Sequence, residues 1–261
     1  MLDTVQYVSG LASGMLVGLS LGLVGGGGSI LAVPLMVYLV GVPSPHVAIG
    51  TSAFAVAANA AMGLFHHARH SNVAWRYGGI FALAGVLGAL LGSFAGKAVA
   101  GHHLLFLFAL LMLVVAAMMS RHREEGKGTQ AEDRHANTPK VLGFGAGTGL
   151  LSGFFGIGGG FLIVPALVAA TGMPMYRAIG TSLVAVIAFG IATAASYAFS
   201  GYVEWMLALV FIIGGFFGTL AGTQFSARLA DNGWLKKVFV GLIVIVAFYM
   251  MWHSLVLSGV L

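Results

Sequence analysis

Two glycine clusters stand out as groups able to do chemistry, Gly25 to Gly28 followed by Ser29, and Gly156, Gly158, Gly159 and Gly160. Glycine permits left-handed backbone and close approach to a ligand, and a helix that follows offers unpaired N–H groups and a positive dipole end. An anion is the natural guest of such a turn. A tight hinge between packed helices is the competing reading. The block AIGTS occurs twice, at Ala48 to Ser52 and Ala178 to Ser182, and puts the hydroxyls of Thr51, Ser52, Thr181 and Ser182 near the start of long apolar stretches. These hydroxyls either donate to an oxyanion or bond their own helix. From Ser52, Asn59 and His66 follow at intervals of seven, a polar stripe on one helix face. An amide at mid-span needs partners, so Asn59 is expected to meet either another helix or a substrate.

His66, His67 and His70 invite a metal or proton-relay reading. Their place at a span end beside Arg69 and Arg76 instead points to a solvated interfacial cluster, and no HExxH motif accompanies them. No metal, cofactor or catalytic residue is expected. Outside one charged segment the acidic residues are Asp3, Glu204 and Asp231, all at predicted span ends. Without a carboxylate at depth to hold a cation, the ligand chemistry favours a small anion.

The elements that position these groups are membrane spans. Charged residues make up 7% of the chain and apolar residues 59%, against about 25% charged in an ordinary soluble domain. Lipid is therefore the expected solvent. Nine charged residues fall in the single segment Ser120 to Lys140, which must be in water. Basic residues are not interleaved with aromatics as nucleic-acid binding would require. With no cysteine, disulfides and thiol chemistry are excluded. The N-terminal stretch lacks the basic region of a cleavable signal and reads as the first mature span.

The chain repeats itself. GGGGSILAVPLMVYLVGVPSPHVAIGTS from Gly25 returns as GIGGGFLIVPALVAATGMPMYRAIGTS from Gly156, with Pro34 matching Pro165 and Pro43 matching Pro174. The register holds onward, Val73 and Trp75 matching Val203 and Trp205, and Gly85, Gly88 and Gly92 matching Gly215, Gly218 and Gly222. Duplication predicts an all-α polytopic protein of two repeats, 1–119 and 141–261, joined by a charged cytoplasmic linker at 120–140. Each repeat has four long helices and one short Gly/Pro-broken helix, at 29–41 and 159–171. Glycines spaced by four, such as Gly10, Gly14, Gly18 and Gly22, mark close helix packing. If the short pieces cross, Lys and Arg gather on one side with only Lys97 opposite, the termini are periplasmic, and the repeats are inverted.

The Gly-rich stretches VGGGGSILAVPL and FGIGGGFLIVPA, the doubled AIGTS, and the late glycine helices GVLGALLGSFAG and GGFFGTLAGTQF resemble the sulfite exporter TauE/SafE family of bacterial membrane proteins. The resemblance covers nearly the whole chain. It implies an inner-membrane exporter or permease for sulfite, sulfoacetate or another organosulfonate. On this reading the repeats alternate access around a substrate held by the two glycine clusters, Asn59 and the four AIGTS hydroxyls. A membrane scaffold and an intramembrane hydrolase are the alternatives. Partners are then the lipid bilayer and the anion, with no nucleic acid; assembly into a homo-oligomer is left open.

Overall fold

The computed structural model describes residues 3–121, 138–156, 160–229, 241 and 244–252, and among the described residues there is helix and connection but no strand. Helix α1 spans Thr4–Val24. A short broken segment follows, made of a 3-10 turn at Gly25–Leu31, a single α turn, α2, at Ala32–Pro34, and a π turn at Leu35–Leu39. Then come α3 (Pro45–Arg69), α4 (Trp75–Ala98), α5 (Gly101–Arg121), α6 (Thr138–Phe155), α7 (Gly160–Thr171), α8 (Met175–Phe199) and α9 (Trp205–Leu229). Residues 244–252 are again helical.

Five of these helices, the apolar lengths Thr4–Leu23, Pro45–Arg69, Trp75–Ala98, Tyr176–Phe199 and Trp205–Gln224, are long and apolar enough to cross a membrane. At 1.5 Å per residue the 25-residue α3 and α8 reach about 37 Å, beyond the roughly 30 Å of hydrocarbon they must traverse. In lipid only a helix satisfies its own backbone, which is why apolar runs with little intrinsic amphipathicity fold this way. Pro45 starts α3 at a position where a missing N–H costs nothing, and Pro174 caps α8 in extended backbone. The two short segments differ: the first is broken into three helical types, whereas α7 is continuous through its internal Pro165.

Packing is organised by glycine. α1 and α9 run side by side in the same direction: a Cβ on Gly10, Gly14, Gly18 or Gly22 would strike Leu207, Phe211, Gly215 or Thr219 in turn. α4 and α6 do the same, with Gly145 against Phe81, Gly149 against Gly85 and Gly153 against Ala89. These two pairs and the α3–α8 pair make the most extensive helix contacts. α3 and α8 are antiparallel, since Gly50 abuts Tyr197 and Tyr202, Gly190 abuts Ala53 and Ala57, and Gly180 abuts His67 and Asn72. The first broken segment returns toward the start of α1: Gly28 lies on the backbone of Ser20 and Leu21, and the Gly41 carbonyl accepts the Gln6 Nε2 at 3.3 Å. The Gly25–Leu31 turn touches α7, so the two short segments meet in the interior.

Candidate functional site

The AIGTS hydroxyls are built into the scaffold. Ser52 Oγ donates to the Ile49 carbonyl at 3.1 Å and Ser182 Oγ to the Ile179 carbonyl at 2.7 Å, each within its own helix. Thr51 Oγ1 accepts the Glu204 N–H and Thr181 Oγ1 accepts the Ala74 N–H, both at 2.9 Å. The Thr181 hydroxyl also donates to the Arg177 carbonyl at 2.7 Å. All four side chains are fully buried. Because α3 and α8 are antiparallel, matching positions on them fall at opposite ends of the pair, and the four hydroxyls do not converge on one point.

Gly25, Gly27, Gly28 and Ser29 lie in the first 3-10 turn, with Ser29 buried. Gly28 is required by packing, because any Cβ there would enter the backbone of α1. Gly156 has φ +67, a left-handed conformation, and a Cβ on it would collide with the Ile49 side chain inside the first AIGTS block. Gly160 opens α7; Gly158 and Gly159 lie outside the described residues, as does linker segment 122–137.

Asn59 sits midway along α3 with no exposed surface, and among the described residues neither its Oδ1 nor its Nδ2 has a hydrogen-bond partner. It faces Gly215 of α9, where a Cβ would overlap the amide. Thr219, one turn further along α9, is also buried with an unpartnered hydroxyl; its methyl would lie 3.8 Å from a Cβ on Gly63, one turn beyond Asn59 on α3. The Thr219 carbonyl approaches Gly22, three residues before the first glycine turn. Asn59, Thr219 and that turn thus share the α1–α3–α9 junction. A buried polar group left bare costs about 1–3 kcal/mol, so such a pair marks either a ligand position or a tolerated defect.

The family model described as sulfite exporter TauE/SafE matches residues 10–250. The chain belongs to this family. It is 49% identical over 250 residues to a probable membrane transporter protein of Xylella fastidiosa, covering 94% of each chain. A probable membrane transporter protein of Methanocaldococcus jannaschii is 30% identical over 237 residues, covering 84% of this chain and 86% of its own. Another, YunE of Bacillus subtilis, is 25% identical over 246 residues, covering 86% and 90%. No solved structure matches. The protein is a multi-pass membrane transporter of the TauE/SafE family.

One feature of this TauE/SafE protein departs from the sequence expectation. His67 is not solvated: it is buried, and Asn72 Nδ2 lies 2.9 Å from its Nδ1 while also donating to the Tyr176 carbonyl at 2.9 Å. Antiparallel packing on α8 covers it, which hydropathy along α3 alone does not reveal. The opposite end of the same helix pair holds a second aromatic group, with His46 and Tyr197 stacked at 6.4 Å between ring centroids and Tyr202 5.5 Å from His46. There Lys97 Nζ donates to the Ser196 carbonyl and to Ser200 Oγ, each at 3.0 Å, and Ser93 Oγ donates to Ser196 Oγ at 2.7 Å. The sequence carries no signal for Thr219 beyond a hydroxyl inside the glycine-rich stretch GGFFGTLAGTQF. Among the described residues no group of His, Asp or Glu is arranged to hold a metal ion.

Proposed function

We propose that this protein is a secondary carrier for a small sulfur-containing oxyanion, such as sulfite, sulfoacetate or an organosulfonate, across the bacterial inner membrane. The observation that carries this reading is the bare Asn59 amide buried at mid-span in a TauE/SafE transporter. The substrate lies at the α1–α3–α9 junction, near the backbone of the first glycine turn at Gly25, Gly27, Gly28 and Ser29. The AIGTS blocks with Thr51, Ser52, Thr181 and Ser182 flank the path at its two ends and grip the opposing loops.

Two inverted repeats, 1–119 and 141–261, organise the carrier. This is supported by contacts that recur when the copies are exchanged: α1 on α9 and α6 on α4, Thr51 to Glu204 and Thr181 to Ala74. Alternating access is the motion such architecture serves. The Lys and Arg distribution supports a cytoplasmic 120–140 linker and periplasmic termini. Purified protein in liposomes is the test: uptake of at least one of labelled sulfite, thiosulfate, sulfoacetate and taurine, absent from protein-free vesicles, is expected, and no flux for any of them would end the reading.

A further inference from the structure

We infer that the junction of Asn59 and Thr219 recognises its oxyanion in the protonated, singly charged form, hydrogen sulfite in preference to the sulfite dianion. This rests on the carrier reading above. α1 holds no charged residue between Thr4 and Val24, α9 none between Trp205 and Gln224, and α3 only Arg69 at its far end. Among the described residues these spans therefore bring no cation to mid-helix, where an anion would enter the junction. The cost of taking an ion out of water grows with the square of its charge, so a monoanion enters far more readily than a dianion.

The amide adds a demand about protons. Asn59 Nδ2 supplies two N–H donors and Oδ1 is an acceptor, and neither atom has a partner among the described residues. A fully deprotonated oxyanion satisfies the donors and sets a lone pair against Oδ1. An oxyanion that keeps one O–H satisfies both. The Thr219 hydroxyl, able to donate and accept, suits the same ligand.

The register of the two sequence copies sets Phe189 where the first has Asn59, and Ala89 where the second has Thr219. Phe189 fills the space beside Gly85 with a ring, as Asn59 fills that beside Gly215 with an amide. An apolar side chain therefore meets the packing demand, and the polar pair is a property of one half only.

The titratable or charged groups on the helices around Asn59 are Tyr7 on α1, His46, His66, His67 and Arg69 on α3, Tyr176, Arg177 and Tyr197 on α8, and Arg228 on α9. All stand toward helix ends, the nearest along α3 being His66. The pH response is therefore assigned to the substrate.

The test is sulfite flux into proteoliposomes with equal pH on both sides, stepped through the range in which sulfite loses its second proton. The initial rate should follow the hydrogen sulfite concentration, and His46→Gln and His67→Gln should leave that dependence unchanged. Sulfate should not be carried, and methanesulfonate, a monoanion without an O–H, should be carried about tenfold more slowly, the worth of one hydrogen bond to a charged group. Asn59→Leu should lose sulfite flux by about tenfold or more while melting at the same temperature or higher, and Thr219→Val by a smaller factor. A rate that follows the dianion, or an Asn59→Leu protein carrying sulfite at the unaltered rate, would overturn the inference and leave the carrier reading standing. If no oxyanion moves at all, the carrier reading fails, and thermal stabilisation of the detergent-purified protein by sulfite decides what remains: a shift at low pH lost in Asn59→Leu supports the site, and no such shift removes it.

Discussion

The Thr51 hydroxyl on α3 accepts the N–H of Glu204 at the head of α9, 153 positions further along the chain, at 2.9 Å. Thr181 on α8 holds the N–H of Ala74, just before α4, in the same way and at the same distance. Each bond satisfies a backbone donor at the foot of a span, where the N–H has no helical partner of its own.

Replacing either threonine by valine keeps the shape and removes the acceptor. Thr51→Val and Thr181→Val are each expected to cost about 1–3 kcal/mol, the penalty of a buried donor left unpaired. Thr51→Ser should keep most of the stability. Thermal unfolding in detergent reads the difference, and a valine variant as stable as the parent would deny these bonds a structural role.

Glycine substitutions should divide by position on α6. A Cβ on Gly149 would enter the backbone of Gly85, whereas one on Gly147 meets nothing within 4 Å. Gly149→Ala is expected to destabilise by about 1–3 kcal/mol through overpacking. Gly147→Ala should be neutral or stabilising by up to about 1 kcal/mol, from helix propensity. Equal effects at the two sites would contradict the parallel α4–α6 contact.

Orientation is open to direct labelling because the chain contains no cysteine. Arg69 and Ala100 are both exposed, at the end of α3 and in the connection between α4 and α5. On the proposed orientation a membrane-impermeant maleimide added to intact cells should label Ala100→Cys and spare Arg69→Cys until the membrane is opened. The reverse pattern would place the linker outside.

Lys97 ties α4 to the last turn of α8 through the Ser196 carbonyl and Ser200 Oγ. A cation at a helix C-terminus contributes about 0.3–1 kcal/mol. Lys97→Met should lower stability by about that much, less at high salt, as measured by unfolding at two ionic strengths.

Much of this architecture is legible in the sequence because lipid leaves few alternatives to helix. The long apolar stretch expected from the first AIGTS block onward is α3, and the break after Val24 is a glycine turn. Asn59 was legible as an anomaly, an amide in an apolar run. Its setting was not, since only the pairing of α3 with α9 shows that Gly215 faces it and that Thr219 lies one turn away. The AIGTS hydroxyls gave the opposite lesson: two matching blocks suggest one shared site, and antiparallel packing of α3 on α8 carries them to opposite ends. For His67, burial depends on Tyr176 and Asn72, residues whose proximity no periodicity along α3 encodes.

The closest partner of α1 is α9 and that of α6 is α4, so neither half of the chain can occupy its own glycine stripes. On the duplication reading, a single copy would bury those stripes only against a second molecule, and joining two copies in one chain would replace a chance encounter in the bilayer with a tethered one at high effective concentration.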